Sequence, residues 1–187
     1  MSRADMTVAN ALWPQTAANR ALRTVSLMLG ASLALAISAH IAVPFWPVPV
    51  TMQSLVVLAL GAGLGWRLAG ASLALYLAQG SLGLPVFANA AGLMGPTGGY
   101  LVGFVMAAML VGYLAEKGAD KRMGLMFATM LLGAGLIYLP GVAWLANFTG
   151  AEKAFELGLY PFILGDVLKA AIAALGFKAF WSLGVKG

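Results

Sequence analysis

The 187-residue sequence contains no cysteine, one histidine and only 9% charged residues, and each shortage narrows what the chain can be. Without cysteine there are no disulfides, thiolate metal ligands or thiol nucleophiles. The single histidine, His40, excludes a multi-histidine metal site; near the end of an apolar run it reads first as a hydrogen-bonded packing residue. No GxxxxGK[ST] element occurs, so the glycines around Met94 are not a phosphate loop and ATP is not hydrolysed by that route. A GxSxG element and paired catalytic carboxylates are missing as well, which argues against an intramembrane hydrolase. The basic residues are scattered singly, so the net charge of +5 does not mark a nucleic-acid partner. Nothing in the sequence calls for a cofactor.

What is present is apolar: 61% of residues are hydrophobic and the mean hydropathy is +0.91. A soluble domain of this size needs more charge to cover its surface, whereas this length supplies about six spans of about twenty residues each. The expectation is an all-α integral membrane protein, a bundle of six transmembrane helices with an external re-entrant or lid-like loop, embedded in the lipid bilayer. Residues 1–23 form a cytoplasmic N-terminal tail or interfacial helix, residues 24–183 the six-helix substrate-binding domain, and residues 184–187 a cytoplasmic C-terminal tail. A cleaved signal peptide competes for the first apolar run, but the run extends from Arg23 to Val43, longer than a usual signal core.

Two uncharged segments interrupt the spans. Pro44, Pro47 and Pro49 stop the helix after the first span and push their predecessors toward extended conformations, leaving Phe45 and Trp46 to anchor at the membrane interface, the first reading, or to supply an apolar wall to a binding site. The second segment, residues 83–99, is rich in glycine and proline; irregular backbone at membrane depth survives only when it is buried in protein or lines a cavity. Asn89 within it is either a ligand contact or the closing residue of an Asn turn. Pro140 and Gly141 are expected to kink the fifth span, or the helix ends near Leu139 and continues as an interfacial piece.

The sixth span, from Tyr160, carries Asp166 and Lys169 in apolar surroundings. A charge near the middle of a membrane helix costs about 2.5–3.5 kcal/mol on insertion scales and usually faces protein or a water-filled cavity. At a spacing of three the two side chains share a helix face. They read as the polar floor of an externally open cavity, with a neutral pair that only pins helices together as the competing reading. All Lys and Arg residues other than Lys153 and Lys169 fall on the side of the termini, so the positive-inside rule makes both termini cytoplasmic. Gly30, Ala34 and Ser38 fall four apart on the first span, a small-residue ridge that could dock a partner helix or simply pack within the bundle.

The ordered segments Val48-Pro-Val-Thr-Met-Gln53, Gly83-Leu-Pro-Val-Phe87, Gly95-Pro-Thr-Gly-Gly-Tyr100 and Gly165-Asp-x-x-Lys169 resemble the BioY family, the biotin-specific S components of energy-coupling factor (ECF) transporters. The resemblance runs over about residues 24–180. It implies a vitamin-binding subunit in the cytoplasmic membrane that captures biotin from outside, with an ECF transmembrane coupling (T) subunit and ABC ATPase subunits supplying power. It further implies Asn89, Asp166 and Lys169 as binding residues, with Gln53 and Tyr100 as weaker candidates: Asp166 and Asn89 for the ureido ring and Lys169 for the carboxylate. Some members also carry a basic residue before the Gly-Pro-Thr-Gly-Gly segment. This chain has none between Arg67 and Lys117, so Lys169, backbone amides or a hydroxyl must hold the carboxylate. A self-sufficient carrier in which Asp166 or His40 couples a proton to substrate movement is the alternative within transport.

Overall fold

The computed structural model describes residues 7–14, 16 and 19–184. The sequence expectations for Arg3, Asp5, Lys186 and most of the C-terminal tail lie outside the described residues. A short helix α1, Val8–Leu12, opens the described chain, with the Thr7 hydroxyl accepting from the Asn10 amide. The long helix α2, Arg20–His40, follows. Arg23 is 3% exposed and is satisfied by the Trp13 carbonyl at 2.7 Å and the Asn10 side-chain oxygen at 2.9 Å. This buried guanidinium ties α1 across the start of α2, so the helix begins at Arg20 rather than after Arg23.

After α2 the chain forms a small antiparallel ribbon that the sequence did not lead us to expect. Strand β1, Ala42–Val43, pairs with β2, Val50–Thr51, in the register Ala42 to Thr51 and Val43 to Val50. The three prolines lie in or beside the connecting loop, and the Trp46–Pro47 bond is cis. Helices α3, Gln53–Leu64, and α4, Trp66–Ser81, are separated by Gly65 alone. Gly65 has φ +82°, and a side chain there would run into the Glu116 carboxylate and the Thr7 methyl. The segment between α4 and α5 folds over the end of the bundle that carries the ribbon, with a 3₁₀ turn at Gly92–Met94. Helix α5 is Gly98–Glu116, α6 is Met123–Thr149, α7 is Ala151–Gly158 and α8 is Tyr160–Gly184.

Helix α5 is the centre of the bundle, packed against α3, α4 and α6. Small residues permit the approach: a Cβ on Gly103 would lie 2.7 Å from the Ile137 carbonyl oxygen of α6, and one on Gly61 of α3 would lie 2.6 Å from the Ala108 carbonyl oxygen of α5. Pro140 is carried inside one continuous α6, so this helix does not end near Leu139; it runs to Thr149 and is followed by the separate short helix α7.

Among the described residues, four segments are long and apolar enough to cross a membrane: α2, α5, α6 and the run Ala151–Leu183 that contains α7 and most of α8. Helix α3, with 12 residues, is about 18 Å long at about 1.5 Å per residue and α4, with 16, about 24 Å, both short of a hydrocarbon core of about 30 Å. The bundle therefore has six long or medium helices, four of them full-length spans. At one end, contacts gather Thr7, Gly65, Glu116, Asp120 and Trp181. At the other lie the ribbon, the 82–97 segment and α7, held by Trp144 Nε1 to the Gly95 carbonyl and Tyr100 to the Gly158 carbonyl.

Candidate functional site

Helix α8 opens with Pro161 in its first turn, where a missing N–H costs nothing. The helix then presents Asp166 and Lys169 on one face, and the two form an ion pair at 2.9 Å with side chains 9% and 11% exposed. Lys169 Nζ also donates to Ser54 Oγ and to the Thr51 carbonyl oxygen, each at 2.9 Å. An ammonium has three N–H bonds, so all its donors are engaged. Asp166 Oδ1 accepts from Ser54 Oγ at 2.8 Å in addition to Lys169, and Oδ2 accepts from the Tyr138 hydroxyl. The network joins α8, α3, α6 and β2, and it satisfies two charges that would otherwise be costly to bury.

These groups form one pole of a cavity whose walls are apolar, with Val48, Phe87, Leu101, Phe104, Ile137 and Phe162 among them. The cavity volume is about 50 Å³ in this conformation, room for a few waters. A bicyclic ligand would have to part its walls. The wall segments outside regular helix are the ribbon loop, through Val48 and Pro49, and the 82–97 segment, through Phe87, Ala88 and Thr97. Phe87 is seated under the segment by Gly80 and Gly92, where a side chain at either glycine would collide with its ring.

The structure brings Gln53, Tyr100, Asp166 and Lys169 together around this cavity. Tyr100 contributes its ring, because its hydroxyl is committed to the Gly158 carbonyl at 2.8 Å. Asn89 is not among the lining residues. Its Nδ2 donates to Thr97 Oγ1 at 2.8 Å and its Oδ1 accepts from the Gly92 amide at 3.0 Å, so it closes the 82–97 segment and touches the cavity through Thr97. Asp166 and Lys169, which the resemblance assigns to opposite ends of the ligand, are in direct contact in this structure. His40 bonds the Ala36 carbonyl of its own helix and lies away from the cavity. The Gly30, Ala34 and Ser38 ridge is not a single outer face: Gly30 is exposed with open space before it, whereas Ser38 is buried at 3% exposure and bonds the Leu35 carbonyl.

Sequence reasoning missed Ser54, Tyr138 and the Thr51 carbonyl. Ser54 adjoins Gln53 in a segment already singled out, which was the available signal. Tyr138 carried none, since one tyrosine in an apolar helix fits a membrane-facing position equally well.

The BioY family model matches residues 7–185 of this chain. A probable biotin transporter BioY of Pyrococcus horikoshii is 41% identical over 143 residues, covering 74% of this chain and 84% of the relative. The biotin transporter BioY of Thermotoga maritima is 39% identical over 145 residues, with the same coverage of 74% and 84%. In three dimensions the fold is similar to a crystal structure of the S-component for biotin from an ECF-type ABC transporter, with a TM-score of 0.76 over 91% of this chain and 96% of that one at 23% identity.

Proposed function

Because this chain belongs to the BioY family, we propose that it is a biotin-binding subunit of the cytoplasmic membrane. In this reading both termini are cytoplasmic, and partner ABC ATPases drive uptake through an ECF transmembrane coupling subunit. The observation that carries the proposal is the Asp166, Lys169 and Ser54 cluster at one pole of an otherwise apolar cavity. Biotin has complementary chemistry: a ureido ring with two N–H donors and one carbonyl, joined to an apolar body and tail.

An acceptor and a cation in contact suit one edge of a cyclic urea, where an N–H and the carbonyl lie side by side. We assign the ureido N–H to Asp166 and the carbonyl oxygen to Lys169, where it takes the place of one present acceptor. A ligand carboxylate at this pole would face the Asp166 charge, so the carboxylate belongs at the opposite end of the cavity. The N-cap Thr97 and the first-turn residues Tyr100 and Leu101 of α5 also line the cavity, and we place the carboxylate near this positive helix end. The role of partner docking on α2 rests on Gly30 and Ala34, the members of the ridge that are not buried.

Equilibrium binding of biotin to the purified, detergent-solubilised chain tests the reading, with riboflavin and thiamine as controls. Selective binding of biotin, lost in Asp166→Asn and Lys169→Met, is the expected result. Well-folded wild-type protein that does not bind biotin would overturn the assignment.

A further inference from the structure

Gln53 stands at the first position of α3 and lines the cavity, although only 3% of its surface is exposed. Its amide cannot turn freely. Nε2 lies 2.8 Å from the Tyr76 hydroxyl oxygen and 3.5 Å from the Leu35 carbonyl oxygen. The Leu35 oxygen can only accept, and the Tyr76 proton is already given to the Val86 carbonyl at 2.9 Å. Tyr76 therefore accepts an N–H from Gln53, which only the nitrogen end of the amide supplies, and the Leu35 oxygen, already bonded by Ser38 Oγ, lies within reach of the same nitrogen. That leaves Oε1 without a hydrogen-bond partner among the described residues. The one buried, unpartnered side-chain oxygen among those residues is on Asp120, so Gln53 Oε1 is not sealed in protein, on a residue that lines the cavity.

We infer that Tyr76 is a positioning residue for the ligand: it locks the Gln53 amide so that Oε1 faces the cavity as an acceptor, and the site selects a ligand head bearing a second N–H. The inference rests on the reading of the cavity as a cyclic-urea site. In a five-membered urea the two N–H bonds diverge from the carbonyl, one to each side. With one taken by Asp166, the other needs an acceptor elsewhere in the wall, and Gln53, the residue before Ser54 on α3, provides it. Tyr76 is 1% exposed and reaches no ligand itself. Its hydroxyl also seats Val86, and its ring meets Phe87 edge-on at 5.3 Å between centroids. One phenol thus fixes both the polarity of the wall and the seat of the 82–97 segment.

The test compares biotin with its two ring-oxygen analogues, in each of which one ureido N–H is replaced by O with the ring size unchanged. Binding of all three is measured to the wild-type chain, Tyr76→Phe and Gln53→Leu. Wild-type protein should prefer biotin over both analogues by about tenfold or more, the scale of one unmet hydrogen bond. In Gln53→Leu and in Tyr76→Phe the preference over one analogue should collapse toward unity while that over the other, set by Asp166, persists. A merely structural Tyr76 would weaken all three ligands alike and leave both ratios intact, and that result overturns the inference. Because Gln53→Leu reports on the same ratio, an intact preference in that variant overturns it even if Tyr76→Phe does not fold. Folded wild-type protein that fails to bind biotin at all overturns the cyclic-urea reading instead, and the inference with it.

Discussion

At the scale of single residues, the Asp166–Lys169 pair is the point of greatest electrostatic risk. Removing one member of a buried pair strands the other charge and costs about 3–5 kcal/mol, whereas removing both can be nearly neutral. Lys169→Met should therefore lower the melting temperature of the detergent-solubilised protein clearly, and Asp166→Asn in the same chain should recover much of the loss. Thermal unfolding of the single and double variants checks this; additive losses would mean the two charges are not coupled. Biotin binding should remain absent in the double variant, which separates the stability of the site from its chemistry. The pair was legible in the sequence because charges are rare in such helices. Its partners were legible only as members or neighbours of the Val48–Gln53 segment: Ser54 and Thr51 lie more than a hundred residues away along the chain, and nothing in the sequence ties them to the pair. Asn89 was legible as a polar residue in an apolar loop, yet its spacing did not distinguish a turn-closing amide from a ligand contact.

At the scale of elements, the long helices follow from hydropathy and from the Gly and Pro residues that bound them. The ribbon does not, because two residues per strand carry no periodicity to detect. The start of α2 was placed late for a related reason: Arg20 and Arg23 look like interfacial charges until the pairing of Arg23 with α1 is seen. A second element contact joins the turn between α5 and α6 to α8. Asp120, 1% exposed, accepts from Trp181 Nε1 at 2.7 Å, and its other oxygen has no hydrogen-bond partner among the described residues. Burial raises the Asp120 pKa above its ordinary value, against the opposing pull of the Trp181 hydrogen bond and of Lys121. An acid whose pKa is higher folded than unfolded binds more protons in the fold, so its contribution is most favourable at low pH. Stability should fall as pH rises from about 4, the unfolded aspartate value, through the raised folded value. Melting temperature against pH should show this slope in the wild type and lose it in Asp120→Asn; an unchanged slope in the variant would assign it to other groups.

At the scale of the whole molecule, the small cavity and its two non-helical walls imply that ligand entry moves the end that carries the ribbon and the 82–97 segment. The helices are held together by close backbone contacts such as Gly103 against Ile137, which leave little room for adjustment. The ribbon loop and the 82–97 segment can move without breaking that packing. Hydrogen exchange should change on biotin binding in peptides from residues 42–52 and 82–97, while peptides from the centre of α5 stay protected; change spread evenly over the bundle would contradict a mobile end on a fixed frame.

The short α4 has a consequence for the membrane rather than the ligand. Its exposed positions include Ala71, Ala74 and Ala78, so along this side the lipid meets a wall of about 24 Å, while α2, at 21 residues, offers about 32 Å. Acyl chains against α4 must shorten or tilt, and those against α2 need not, at a cost of a fraction of a kcal/mol for each Å of mismatch. A bilayer around this bundle would form a collar of uneven thickness, thinnest beside α4.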